Sequence, residues 1–374
     1  MSTLRQLAAM GQSFWIDFIR RDLVTGGQLQ RLVRDDGLSG MTSNPTIFEQ
    51  AIREGPEYRD QVRDLVRSGL RDPAAIYERV AVEDVRLAAD ALRHVYEATE
   101  ARDGYVSLEV SPHLAHNTRE TLREARRLWN TVGRPNLMLK IPGTPEGFPV
   151  VEALVREGIN VNVTLLFSHE AYEAAVEAYL SGLEHRARRN EDIRSVASVA
   201  SFFVSRIDSA VDPLLQGRST HAYGLDRLEL DRIPGRVAVA WARLAYRRYK
   251  QLFVGPRWRD LFHAGARPQR IVWASTSTKN PRYRDVLYAE ELIGPDTVNT
   301  LPPSTIDAFR DHGRVAATLE HGLDEAEQVI GMVERAGISM ADVTDHLLSD
   351  GVRKFQQPYD ALLVALAAQR DALM

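Results

Sequence analysis

Residues 137–147 read LMLKIPGTPEG, an apolar strand-forming run that carries one lysine, Lys140, and is closed by a Pro-Gly turn. Proline and glycine stop a strand there, because one removes a ladder donor and the other favours a turn. Runs of the same kind recur as FWIDFI (14–19), GLSGMTSN (37–44), YVSLEV (105–110), NLMLKI (136–141), INVNVTLLF (159–167), VASVASFFV (196–204), RIVWAS (270–275) and TVNTLP (297–302). Between several of them, Thr118 to Val132, Ser168 to Glu184 and Val237 to Leu252 space their apolar residues as one face of a helix. Strands alternating with helices predict parallel βα units. Eight such units are the number that closes a barrel, and a polar residue stands near the C-terminal end of nearly every run, where barrel enzymes place their chemistry. An open doubly wound sheet shares the local pattern, but the Gly-x-Gly-x-x-Gly turn that would favour it is not seen after any run. The expected fold is therefore α/β, a (β/α)8 TIM barrel.

The runs are unevenly spaced. Roughly sixty residues separate the second from the third, and a similar stretch separates the sixth from the seventh, well beyond an ordinary βα connection. Helical patterns fill both gaps (Glu57 to Gly69, Ala74 to Glu100, Gly235 to Gln251), so they read as inserted helices rather than linkers. From Thr305 onward the chain reads as three helices, with breaks near Gly337 and Gly351. No repeat or Pro/Ser-rich linker divides the sequence. The expectation is one barrel domain over residues 1–374, with residues 305–374 as C-terminal helices packed on the barrel.

Composition removes several function classes. The 51 acidic and 47 basic side chains leave a formal charge of −4, so no general field draws nucleic acid or an anionic membrane. An anionic substrate must be held by a local pocket. Cysteine is absent, which excludes disulfides, thiolate metal sites and cysteine nucleophiles together. The N-terminal residues lack the signature of a secretory signal, and no apolar run reaches the ~20 residues that span a bilayer. A cytoplasmic protein without membrane partners is expected. His113 and His116 stand three apart with His94 upstream, but no matching ligand set accompanies them, so no metal is expected.

Only four of the 47 basic residues are lysines: Lys140, Lys250, Lys279 and Lys354. Where charge merely solvates a surface, this sequence uses arginine, which cannot serve as an amine nucleophile. A lysine inside an apolar run is costly to bury charged, and desolvation frees its amine to attack a carbonyl. The plainer reading of Lys140 is a strand-end lysine that reaches water or pairs with Glu109. Asp17 in WIDF and Glu109 in SLEV are carboxylates inside apolar runs, suited either to general acid–base work or to structural ion pairs. Two carboxylates and a buried lysine at the ends of different strands favour catalysis.

Asn44 closes its run before Pro45, which holds it extended. Taken alone it is an Asn-Pro turn. Asn162 and Thr164 are two apart and so share one face of their strand, the barrel interior or its mouth, while Val161 and Val163 face the helices. Ser201 and Arg206 end the sixth run, and the planar fork of Arg206 suits a phosphate. Lys279 follows WASTST, a loop of small hydroxyls that can hold an oxyanion or simply be exposed. Lys250 and Lys354 sit in polar helical stretches and read as surface residues.

In combination, WIDFIRRDL, GMTSNPTIFEQAI, SLEVSP, LMLKIPGTPEG, GINVNVTLLFS, VASFFVSRID and WASTSTKNP resemble the transaldolases of the class I aldolase group, from about Leu4 to Pro303. The insertions and final helices are similar to a larger bacterial branch. The resemblance implies transfer of a dihydroxyacetone unit between sugar phosphates in the pentose phosphate pathway. Donors would be sedoheptulose 7-phosphate or fructose 6-phosphate, and acceptors glyceraldehyde 3-phosphate or erythrose 4-phosphate. It assigns the Schiff base to Lys140, proton shuttling through a water to Glu109 with Thr164, and proton abstraction from the C4 hydroxyl to Asp17. Asn44, Asn162 and Ser201 would hold the three-carbon unit, and Arg206, Ser275 and Lys279 the phosphate. No organic cofactor or metal is implied. Where the better-known branch has an arginine in its phosphate loop, this chain has Lys279 after a short insertion, which leaves the second phosphate ligand open.

Two alternatives remain. One is a fructose 6-phosphate aldolase of the same fold, although those relatives are shorter and place a tyrosine where this chain has Glu109. The other is a non-catalytic barrel binding a sugar phosphate, which has no use for a desolvated amine beside two carboxylates. The sequence fixes neither the substrate preference nor the oligomeric state, a homodimer being one option.

Overall fold

A computed structural model describes residues 2–373. Its eight strands are β1 (Gln12–Asp17), β2 (Leu38–Thr42), β3 (Tyr105–Glu109), β4 (Leu137–Pro142), β5 (Val161–Leu166), β6 (Ser198–Phe203), β7 (Arg270–Ala274) and β8 (Thr297–Leu301). Each pairs in parallel with its sequence neighbours, and β8 returns to β1 to close a barrel. The chain is a (β/α)8 barrel. Strands β3 to β8 are buried at every position. That is why the runs read as continuous apolar stretches: helices cover the outside and side chains fill the inside.

Alternation assigns the two faces. Trp15, Tyr105, Met138, Ala197, Val199, Val272 and Val298 form an apolar cluster apart from the main core, and fill the lower lumen. Beneath them Asp103 pairs with Arg270 at 3.0 Å. The same carboxylate accepts from Trp15 Nε1 at 2.9 Å and Ser13 Oγ at 2.7 Å. The N-terminal end of the barrel is thereby sealed, and space for a ligand is left at the opposite end.

The two long gaps contain helices. Glu57–Arg67, Pro73–Ala91 and Arg93–Ala98 lie between β2 and β3, while Ser205–Ser219, Val237–Leu252 and Pro256–His263 lie between β6 and β7. The C-terminal part forms Pro303–His312, Leu323–Arg335 and Met340–Asp371. The break near Gly337 is present, but the one expected near Gly351 is not: the last helix runs unbroken through Gly351. A β-carbon at 351 would stand 3.1 Å from Leu165, 3.4 Å from Phe167 and 3.5 Å from Arg206. Glycine here lets a helix approach the barrel mouth, so the residue read as punctuation is a packing contact. Met340–Asp371 lies along Pro45–Glu54 and Pro73–Ala91 and reaches β5. Among the described residues, no helix is long and apolar enough to cross a membrane.

Candidate active site

Lys140 stands in β4 directly beside Glu109 of β3 and Asn162 of β5 in the strand register. It is 4% exposed and Glu109 8%. The Lys140 Nζ donates to the Ser43 carbonyl at 3.1 Å and lies 3.5 Å from Glu109 Oε2. That contact is an ion pair at a distance too long for a strong hydrogen bond. Neither Glu109 oxygen, nor the Thr164 hydroxyl one strand further on, has a hydrogen-bond partner among the described residues. Such unpartnered buried groups carry a desolvation cost that a functional site can justify. Burial pushes the Glu109 carboxyl up to about 7, against the opposing charge of Lys140.

Asp17 ends β1. Its Oδ1 accepts from Thr42 Oγ1 at 2.7 Å, and the Thr42 hydroxyl also lies 2.8 Å from that of Thr300 at the end of β8. Burial raises its pKa above the ordinary aspartate value, while Lys140, the Thr42 hydrogen bond, Lys279 and Arg206 act the other way. A second polar chain crosses the lumen under Lys140. Ser201 Oγ donates to Asn162 Oδ1 at 2.7 Å, and Asn162 Nδ2 donates to Ser107 Oγ at 3.0 Å. It ties β6, β5 and β3 together and fixes the amide of Asn162 beside the lysine.

The mouth above these groups is a cavity of about 560 Å³ lined by Asp17, Asn44, Lys140, Ser201, Arg206, Ser275, Lys279 and Phe355, among others. That volume suits a small phosphorylated sugar. Glu109, Asn162 and Thr164 do not line it, but stand on β3 and β5 on either side of Lys140. A larger cavity of about 710 Å³ lies off the barrel axis between Pro73–Ala91 and Thr118–Val132 and touches β3. Glu109, unpartnered, borders it from the β3 side, but its other charges are largely satisfied, with Arg127 forked onto Glu78 and Glu124 accepting from the Ser111 amide at 2.6 Å. The smaller cavity, with unpaired cations and the lysine, is where chemistry can occur.

Two cations face that cavity. Arg206 belongs to the first turn of Ser205–Ser219, not to the strand run before it. Its Nη1 is buried without a partner, and its guanidinium lies 5.1 Å from the Phe203 ring centre. Burial lowers its pKa, with Asp350 and Asp17 opposing. Lys279 sits at the rim, its Nζ donating to Ser277 Oγ at 2.6 Å. Desolvation and then the charge of Arg206 hold its ammonium below the usual lysine range, while Asp17 opposes them. Arg206 disfavours the charged form of Lys279, and two cations facing one cavity suit an anion. Backbone strain marks the same rim. Leu165 and Ser275, neither a glycine, have φ of 60° and 54° at the ends of β5 and β7. The Ser275 hydroxyl lies 3.0 Å from that of Ser205.

Asn44 has a second task. Extended, as Pro45 requires, it accepts the Ile47 amide at 3.1 Å and caps Pro45–Glu54 while still lining the cavity. Lys250 pairs with Glu320 and Lys354 with Asp350 on the surface, in keeping with their sequence context. His113 meets Asp360 at 2.7 Å and His116 meets Glu146 at 3.2 Å, both as exposed pairs. Sequence reasoning missed Ser43, Ser107, Thr42, Thr300 and Phe355. The period-2 alternation back from Asn44 offered a signal for Thr42. Phe355 had none: the last helix brings its ring to 5.6 Å from Lys140 Nζ and 6.0 Å from the Arg206 guanidinium.

Comparison with known proteins gives the family. The family model described as Transaldolase/Fructose-6-phosphate aldolase matches residues 14–366. A protein named transaldolase 2 from Nostoc sp. is 47% identical over 369 residues, covering 97% of this chain and 96% of that one. A transaldolase from Thiobacillus denitrificans is 44% identical, covering 98% of this chain and all of its own length (100%). One from Thermobifida fusca is 46% identical over 99% of both chains.

Proposed function

The chain belongs to the transaldolase/fructose-6-phosphate aldolase family, and from that premise we propose that it is a transaldolase working through a Schiff base on Lys140. The observation that carries the mechanism is a lysine 4% exposed, 3.5 Å from a carboxylate, at the floor of a cavity that Asp17 also lines. The amine attacks C2 of a ketose phosphate (fructose 6-phosphate or sedoheptulose 7-phosphate) to give a carbinolamine. Glu109, poised near neutrality, gives a proton to the departing C2 hydroxyl, which leaves as water, with Thr164 holding that water. Asp17 takes the C4 hydroxyl proton as the C3–C4 bond breaks. The two bonding electrons move into the iminium, which becomes an enamine.

The three-carbon unit stays on Lys140, held by Asn44, Asn162 and Ser201. The aldose phosphate departs with the only phosphate group. Arg206, Lys279 and Ser275 therefore bind the phosphate of the donor and later that of the acceptor, glyceraldehyde 3-phosphate or erythrose 4-phosphate, at one site. Asp17 returns its proton on aldol addition. The lysine is itself the electron sink, so the proposal routes no step through another group. A cytoplasmic setting and a single barrel domain that includes residues 305–374 are part of the proposal. They are supported by the absence of cysteine and by Phe355 standing over Lys140.

The test is reductive trapping. Incubation with fructose 6-phosphate and borohydride is expected to add a three-carbon or hexose phosphate mass to the peptide carrying Lys140. An unmodified Lys140 in folded protein would sink the mechanism. Without acceptor, free dihydroxyacetone should form far more slowly than transfer products form with acceptor present. Equal rates would make the enzyme an aldolase.

A further inference from the structure

The proposed phosphate clamp joins Arg206, on the helix Ser205–Ser219, to Lys279, in the loop between β7 and the short helix Leu287–Glu291. The spacing of the two cations therefore depends on how this helix and this loop are held against each other. Outside the cavity the same helix carries Asp208 and Asp212, one turn apart, and each holds two other elements at once. Asp208 accepts the Ala238 amide at 2.7 Å on one oxygen and the Tyr288 hydroxyl at 2.9 Å on the other. Asp212 repeats the pattern, taking the Gly235 amide at 3.1 Å and the Tyr283 hydroxyl at 2.6 Å. Ala238 lies in the first turn of the helix Val237–Leu252 and Gly235 just before it, and both tyrosines come from the stretch that follows Lys279. Asp208 is buried.

The ring of Tyr283 is held from the other side too. Gly235 has φ of 78°, and a β-carbon there would stand 2.8 Å from Tyr283 Cζ. The tyrosine lies flush on a glycine whose conformation other residues rarely adopt.

Resting on the phosphate role of Arg206 and Lys279, we infer that the Asp208–Tyr288 and Asp212–Tyr283 pairs are positioning residues. They fix the rotation of the Arg206 helix and the height of the Lys279 loop, and so set affinity for the substrate phosphate without touching it. The face that carries Asp208 and Asp212 points away from Arg206, since at ~100° per residue they lie about 160° and about 120° around the helix from it. Pinning that outer face fixes the direction in which the guanidinium projects. A clamp made from two separately mobile cations loses affinity through misplacement, because a charged hydrogen bond depends steeply on distance.

Tyr283→Phe removes one hydroxyl and keeps the ring on Gly235. Steady-state rates should be measured with fructose 6-phosphate and with phosphate-free fructose as donors, together with inhibition by inorganic phosphate. The expected result is a KM for the phosphorylated donor and a Ki for inorganic phosphate that both rise about fivefold, the net worth of one ordinary hydrogen bond. The kcat should stay within about twofold and the KM for fructose should not move, as befits loss of uniform phosphate binding. Unchanged phosphate constants, or equal changes for both donors, would overturn the inference and leave the clamp standing. If the parent enzyme neither prefers the phosphorylated donor nor is inhibited by phosphate, the clamp falls and this inference falls with it. Should Tyr283→Phe be poorly folded, Asp212→Asn probes the same pair, and the same KM shift is expected.

Discussion

Glu109 and Lys140 face each other across β3 and β4, and the proposed chemistry asks the carboxyl to be protonated when water leaves C2 and ionised when water returns. A group held near 7 can do both. Glu109→Gln keeps the shape and removes the proton, so kcat should fall by roughly 10²- to 10⁴-fold, the usual worth of general acid–base catalysis. The limb of the pH–rate profile near pH 7 should vanish with it. A variant that keeps that limb would assign it to another group. The same burial has a thermodynamic consequence. Glu109 in the folded state binds its proton more tightly than in the unfolded chain, where its ordinary value is 4.5. Between about pH 4.5 and 7 the native state therefore holds the extra proton, and its stability falls as pH rises through that window. Asp17 and Asp208 are raised as well and push in the same direction. Denaturation midpoints measured at pH 5 and pH 7 should lie closer together in Glu109→Gln than in the parent, and an unchanged gap would mean that the charge is compensated elsewhere.

Strands and helices differed in how openly the sequence declared them. All eight strands match apolar runs to within a few residues, because a parallel strand buried on both faces is mostly apolar. Asn162 and Thr164 share a face by alternation alone, and Lys140 stood out because lysine is rare in this chain. Ser43 was invisible because its carbonyl, not its side chain, meets Lys140. The last helix was misread at Gly351, since a glycine that permits close packing looks like one that permits a turn. Its role over the site depends on long-range packing that no local pattern encodes. That role predicts the effect of truncating Phe355. Its ring, 4% exposed, shields Lys140 and Arg206 from water. Phe355→Ala should admit water to the enamine and iminium, which a closed site protects. Release of free dihydroxyacetone relative to transfer should rise severalfold, while folding stability drops by about 3–5 kcal/mol, as for other buried Phe→Ala changes. Product ratios from fructose 6-phosphate with and without acceptor provide the measurement. An unchanged ratio would make the helix a structural cover only.

Across the whole molecule the barrel separates its two kinds of buried charge. At the C-terminal end Lys140 and Glu109, with the half-buried Asp17 and Arg206, are under-paired, a cost that the proposed chemistry would account for. At the N-terminal end Arg270 and Asp103 are well paired: Arg270 also donates to Ser13 Oγ at 2.7 Å and to the Arg102 carbonyl at 2.6 Å, while Asp103 takes the Trp15 indole. Barrels commonly divide function and stability between these faces. Asp103→Ala would leave the Arg270 charge buried without its partner and the Trp15 N–H without an acceptor. The expected cost is about 3–5 kcal/mol, the range for breaking a buried pair from one side. Removing Arg270 as well, in Asp103→Asn with Arg270→Met, takes away the orphaned charge, so the double variant should be more stable than Asp103→Ala. Urea denaturation of the set measures both effects. In all of these variants kcat at 25 °C should remain within about twofold of the parent wherever the protein is folded, because an interaction that does not touch the transition state leaves kcat unchanged. A large fall in kcat with stability intact would mean that the floor of the barrel sets the position of Lys140, and the two faces would then be one coupled system.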